Sequence, residues 1–160
     1  MRLIIAAIGR LKDGPDRELA DRYVKRLEQA GRGVRFTPID VIELPEARGD
    51  NIDVRKADEA SRLIAKLAGV EYVVAMDEHG RSLASPAFAD LLARKRDAGT
   101  GSLAFVIGGP DGHGPTLLAR ADIKLTLSPM TLPHGLARIV LAEQLYRATT
   151  ILSGHPYHRT

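Results

Sequence analysis

Leu3-Ile4-Ile5-Ala6-Ala7-Ile8 is an unbroken apolar run that stops at Gly9. A strand with one wet face alternates polar and apolar side chains, so a strand with no polar position in its length must be covered on both faces. It belongs inside a sheet with helices above and below, and the rest of the chain supplies them. Leu19, Ala20, Tyr23, Val24 and Leu27 recur at helical spacing and predict a helix from about Pro15 to Gln29, stopped by Gly31 and Gly33. Val34 to Leu44 reads as a second strand. After the polar stretch Glu46 to Asn51, a helix running to Ala68 carries Ala57, Ala60, Leu63, Ile64 and Leu67 on one side. Glu71 to Met76 reads as a strand, Pro86 to Asp97 as a helix and Ser102 to Ile107 as a strand. A glycine-rich loop, Gly108 to Gly114, then precedes a short helix near Pro115–Ala121 and a short strand near Ile123–Leu127. The loop Ser128 to His134 leads into a last helix, about Gly135 to Leu152. This alternation predicts an α/β fold, a mostly parallel sheet with helices on both faces, in a single domain over residues 1–160.

Several functional classes fall away on composition. The 160 residues contain no cysteine, which excludes a disulfide framework, a thiolate zinc site and a thiol nucleophile. The first apolar run is too short for a signal-peptide core and is followed by Arg10, Lys12 and Asp13. No segment approaches the length of a membrane span, so the expectation is a soluble, cytoplasmic protein. The net charge of +3 permits an anionic partner without demanding one. The excess is spread along the chain, with 14 basic and 12 acidic residues in 1–70 and 9 and 8 in 71–160.

Chemistry concentrates in the loops. A glycine cluster directly after an apolar strand brings backbone N–H groups close to a ligand such as a nucleotide-like cofactor, or else makes a sharp surface turn. Its order, G-G-x-x-G-x-G, is neither the dinucleotide fingerprint nor a P-loop. Gly80-Arg81-Ser82-Leu83-Ala84 resembles a nucleophile elbow but lacks the second glycine, and reads better as a plain loop or a capping serine. His155 and His158, with His113 or His134, have no carboxylate at ligand spacing, which argues against a metal site. The closing His155-Pro156-Tyr157-His158-Arg159 gathers donors, an aromatic ring and a guanidinium in five residues.

At Ile107-Gly108-Gly109-Pro110, Thr131-Leu132-Pro133-His134 and His155-Pro156-Tyr157-His158-Arg159, the sequence resembles the ribosomal large subunit methyltransferase H family. These are small SPOUT-class enzymes that methylate N3 of a pseudouridine in 23S rRNA using S-adenosylmethionine. The resemblance covers the whole chain and includes Gly9, Arg48-Gly49, Met76-Asp77 and Ala142-Glu143-Gln144-Leu145-Tyr146-Arg147. It implies a carboxyl-terminal trefoil knot over about residues 103–160. It also implies S-adenosylmethionine held among Met76, Gly109, Ser128, Pro129, Met130, Thr131, Leu132 and Pro133. The tail would sit at the substrate, Arg159 and Tyr157 orienting the base and stabilising charge, His155 and His158 contacting it, and His134 accepting the proton. The implied partners are 23S rRNA in the assembled ribosome and a second copy of the chain whose tail completes the pocket. No metal is implied. Leu136, Ile139, Val140, Leu141, Leu145 and Tyr146 span a broader sector of the last helix than one contact face needs, which burial within one subunit would also explain; the resemblance tips the reading toward that homodimer. A related knotted tRNA methyltransferase and a noncatalytic ribosome-binding factor are the competing readings.

Overall fold

The amino-terminal apolar run forms β1 (Arg2–Ile8) in a computed structural model that describes residues 1–158. After it come α1 (Pro15–Gly31), β2 (Ile39–Leu44), α2 (Ile52–Lys66), β3 (Tyr72–Ser82), α3 (Ser85–Asp97), β4 (Ser102–Ile107), α4 (Pro115–Arg120), β5 (Ile123–Thr126) and α5 (His134–Ser153). The strands form one sheet in the order β2-β1-β4-β3-β5, and every neighbouring pair is parallel. β1 is held on both edges: Leu3 pairs with Ile39 on one side and with Leu103 on the other.

The two faces of β1 account for its composition. Leu3, Ile5 and Ala7 pack into a core built with α1, α3 and α5 through Leu27, Phe88, Leu92, Leu141 and Leu145. Ile4, Ala6 and Ile8 pack into a second core, on the opposite face, with Ala60 and Leu63 of α2, Leu67 just after it and Leu117 of α4. Asn51 starts α2 by accepting the Val54 N–H on its side-chain oxygen at 3.0 Å, an N-cap that ends the polar stretch before it.

Two expected strands have different bounds. β2 begins at Ile39 rather than Val34, because residues 32–38 make a turn instead. Arg32–Val34 is a single 3-10 turn, Arg35 is left-handed at φ 60°, and Phe36 donates its N–H to Gly31 O at 2.8 Å. A Cβ on Gly31 would lie 2.6 Å from Phe36 O, so this reversal requires glycine there. β3 does not end at Met76. It pairs with β5 up to Met76↔Leu125, bulges through residues 77–80, and rejoins the same strand at Arg81↔Leu125 and Ser82↔Thr126. The stretch from Gly80 to Ser82 is therefore strand and neither a loop nor a nucleophile elbow.

Gly80 closes the bulge by lying on the backbone of β5, where an added Cβ would meet Leu125 backbone atoms at 2.5–2.8 Å. Gly80→Ala should lower the unfolding free energy by about 3 kcal/mol, the scale of overpacking against immovable atoms. Gly33→Ala, whose Cβ would enter open space, should change it by less than about 0.5 kcal/mol. Urea titration of the two variants checks the contrast.

Candidate functional site

The segments leaving the carboxyl ends of β3, β4 and β5 enclose a cavity of about 810 Å³. This is the end of a parallel sheet where loops diverge and ligands are received. One wall is the β3 bulge, Met76 to His79; a second is the glycine loop, residues 107–113; a third is the loop from Thr126 to His134. Met76, Gly109, Ser128, Met130, Thr131, Leu132 and Pro133 line the cavity together with His134. Pro129 is exposed and not among the lining residues. Ser128 Oγ accepts the Met130 N–H at 3.0 Å, and Thr126 Oγ1 donates to Ser128 O at 2.7 Å, a local turn that carries Pro129 away from the cavity. Thr131 Oγ1 donates to Glu78 at 3.2 Å and so ties the third wall to the bulge.

The glycine loop is shaped by the protein beneath it. Only Gly112 in the loop has a positive φ, 78°. A Cβ on Gly109 would come within 2.9 Å of both Ile8 Cγ2 and Glu59 Oε2, and one on Gly114 within 2.5 Å of Lys56 O. Glycine is required because the loop lies flat on β1 and α2. Arg55 of α2 pins the loop tip with a two-pronged pair to Asp111, at 2.8 and 3.1 Å, and donates its remaining nitrogen to Gly49 O at 2.6 Å. The hydrogen bond from Arg55 holds the Asp111 carboxyl below the ordinary carboxylate range. His113, 6% exposed, donates from Nε2 to Met76 O at 3.0 Å, joining the loop to the end of β3's first segment. Burial lowers its pKa against the pull of that bond, so the ring is neutral near pH 7 and Nδ1 carries no proton.

Beside the cavity, the first turn of α5 meets the end of β1. Arg138, 4% exposed, donates from Nη2 to Ile8 O and Gly9 O and from Nη1 to Glu43 of β2. Glu43 also accepts from Arg17 at 2.8 Å and from the Leu11 N–H at 3.1 Å. Burial disfavours its charge, yet these donors and the Arg138 charge together keep its pKa below the usual value. Gly9, at φ 84°, leaves room for His134: a Cβ there would stand 3.5 Å from His134 Nε2 and 3.2 Å from Glu46 Oε1.

The tail is elsewhere on the subunit. His155 borders a smaller cavity of about 220 Å³ between α1 and α5, and Tyr157 donates its hydroxyl to Glu143 of α5 at 3.0 Å. His158 is half-buried and does not line the large cavity, and Arg159 lies outside the described residues. On α5 itself, Ile139, Leu141 and Leu145 are buried within the subunit, whereas Leu136 is exposed and Val140 and Tyr146 are half-buried. Half of the apolar sector read as surplus is thus core.

Asp77, Glu78, His79, Lys56 and His113 also line the cavity and were not singled out as site residues. The end of the apolar run at Met76 hid the bulge, and Gly80 was its one visible sign. Glu43 and Arg138 carry no local motif; their pairing spans 95 residues. Among the described residues no group of three or more His, Asp or Glu side chains is placed to hold a metal ion, and no helix is long and apolar enough to cross a membrane.

A family profile described as "Predicted SPOUT methyltransferase" matches residues 1–158. The chain belongs to the SPOUT methyltransferase family. Two relatives named ribosomal RNA large subunit methyltransferase H extend the likeness over the full length. The one from Brucella anthropi is 49% identical over 160 residues, covering 100% of both chains. That from Bradyrhizobium diazoefficiens is 47% identical over 159 residues, covering 99% of each. The solved structure of a probable methylase family protein from Haemophilus influenzae Rd KW20 matches with a TM-score of 0.53 at 13% identity, over 99% of this chain and 70% of that one, which shows a common fold.

In this SPOUT methyltransferase the Arg55–Asp111 pair is the tether of the glycine loop. Asp111→Asn should speed amide exchange at Gly112, whose N–H is bonded to Gly109 O, by about tenfold, the scale of losing one charge-assisted hydrogen bond. Because the folded-state pKa of Asp111 is depressed, the tether persists down to the ordinary carboxylate pKa. It is lost only as pH falls through the lower folded value. Exchange measured by NMR in wild type and variant between pH 7 and pH 4 should show a gap that does not close over that interval.

Proposed function

We propose that this SPOUT methyltransferase transfers the methyl group of S-adenosylmethionine to N3 of a pseudouridine in 23S rRNA, within the assembled ribosome and in the cytoplasm. The observation that carries the reading is the cavity formed by the three loops at the carboxyl ends of the strands. Its volume falls in the range of pockets that bury a ligand of this size, roughly 300–1,000 Å³. Its chemistry fits as well. S-adenosylmethionine has a sulfonium and an ammonium, and Asp77 and Glu78 line the cavity against Lys56, the Asp111 carboxylate there being paired with Arg55. Met76, Ile107 and Leu132 supply an apolar surface for adenine, and the Gly/Pro-rich loops supply backbone donors and acceptors. Full-length identity of 47–49% to ribosomal RNA large subunit methyltransferase H relatives supports large-subunit rRNA as the substrate.

The bound cofactor supplies a methyl group already activated on a positive sulfur, which leaves the chain with positioning and the fate of one proton. N3–H of pseudouridine is a weak acid, and its anion is favoured by donors and positive charge around it. His134 lines the cavity at the start of α5 and is the proposed acceptor. Arg159 is the proposed stabiliser of the charge that develops, with His155 and His158 at the substrate side.

The described part of the tail does not line its own subunit's cavity. That supports a homodimer in which the tail of one subunit completes the site of the other, an isologous arrangement. The same reading carries a single domain over residues 1–160 with the trefoil knot in residues 103–160.

Radiolabelled methyl transfer to intact ribosomes, naked rRNA and tRNA tests the assignment, with cofactor binding measured by calorimetry. Arg159→Ala should keep cofactor affinity and lower single-turnover transfer to ribosomes by about 10²-fold, the loss expected when one electrostatic donor is removed. Gly109→Val should lose cofactor binding, since its side chain must displace Ile8 or Glu59 and move the loop. Mixing the two inactive proteins should restore transfer if tail and pocket come from different subunits. Absence of methyl transfer to ribosomes by a protein that binds the cofactor would overturn the reading.

A further inference from the structure

The tail is bonded back to its own chain through His155 and Tyr157. α5 ends at Gly154 in the left-handed conformation, φ 69°, which turns the backbone so that His155 N–H returns to Thr150 O at 2.9 Å. Tyr157 N–H then donates to His155 Nδ1 at 3.2 Å, which leaves that imidazole's proton on Nε2. The Tyr157 hydroxyl donates to Glu143 Oε1 at 3.0 Å. Its ring centroid lies 4.7 Å from that of Tyr146, and the Arg147 guanidinium sits 4.9 Å from it. Glu143 is held in turn: Arg147 Nε donates to Oε1 at 3.0 Å, and Gln144 donates to Oε2 at 2.7 Å. Ser85 of α3 donates to Gln144 at 2.7 Å, so the chain of bonds runs back into the body of the fold.

We propose that Tyr157 is a positioning residue, a latch that fixes the tail to α5 through Glu143, Arg147 and Tyr146, and that the side chains reaching the substrate begin at His158. This rests on the reading that the tail serves the methyl-transfer site. A phenol whose hydroxyl proton is spent on a carboxylate, and whose ring lies against a tyrosine and beside a guanidinium, has no free donor for a base. What it supplies is confinement. Residues beyond an anchored point lie within about 3.6 Å per residue of it, so anchoring at 157 raises the local concentration of the groups that follow. Burial, then hydrogen bonding with Tyr23 of α1 and with Glu143, raises the phenol's pKa, so the hydroxyl remains a donor across neutral and mildly alkaline pH.

Tyr157→Phe, Glu143→Gln and the double variant separate a latch from a substrate contact. Each is assayed by single-turnover transfer to ribosomes, by calorimetric affinity for S-adenosylmethionine, and by the rate at which carboxypeptidase trims the tail. A latch predicts about a tenfold loss of transfer in each single variant, the worth of a hydrogen bond to a charged group, and no further loss in the double variant, because both remove one interaction. Trimming should accelerate in parallel while cofactor affinity stays within about twofold. A Tyr157→Phe defect with Glu143→Gln as active as wild type and trimming unchanged would overturn the proposal and put the hydroxyl on the substrate. Trimming that accelerates in protein unable to methylate ribosomes even as wild type would retain the latch and defeat the functional reading instead.

Discussion

Arg138 is the interaction on which the working end of the molecule depends. Its guanidinium is almost wholly buried and joins three elements at once, taking the last carbonyls of β1, the carboxylate of Glu43 on β2 and its own place in the first turn of α5. Without it, the Ile8 and Gly9 carbonyls would lose their buried donor and Glu43 would keep only Arg17 and the Leu11 N–H, at a cost of roughly 1–3 kcal/mol for each buried group left unsatisfied. Burial lowers the arginine's own pKa and Glu43 opposes that shift, while Glu43 draws its own support from Arg17 and the Leu11 N–H as well as from Arg138. His134 opens the same helix one turn before Arg138, and Gly9, whose carbonyl Arg138 holds, leaves room for its ring.

The architecture was legible where side-chain periodicity was strong. β1, α1, α3 and β4 have nearly the bounds that their apolar spacing predicts, because each buries a full face or both faces in one core. β2 was read too long because Phe36 is fully buried, as a strand residue would be, yet reaches the core from a turn braced on Gly31. β3 was read too short because hydrophobicity stops where its bulge begins, although the hydrogen-bonded ladder resumes beyond it.

The site was legible at the level of loops and less so at the level of side chains. The segments 107–113 and 126–134 do converge, and they carry most of the residues expected for the cofactor. The acidic wall at Asp77 and Glu78 was not legible, since a lone Gly80 is too weak a mark of a strand that leaves and rejoins the same partner. Glycine in the 108–114 loop reads in sequence either as room for a ligand or as a sharp turn, whereas at Gly109 and Gly114 it is room for Ile8, Glu59 and the α2 backbone. The two causes leave the same mark in a sequence and differ only in what lies opposite the missing Cβ.

The bulge in β3 separates the cavity wall from the sheet that supports it. Met76 and Arg81 share one partner, Leu125, so the residues between them hang outside the ladder like a stitch dropped and picked up again. Lengthening or recomposing residues 77–79 would reshape the acidic wall without moving the register of β5, as long as Gly80 still seats on Leu125. A family built on this sheet therefore has a place where ligand preference can drift while the fold stays put.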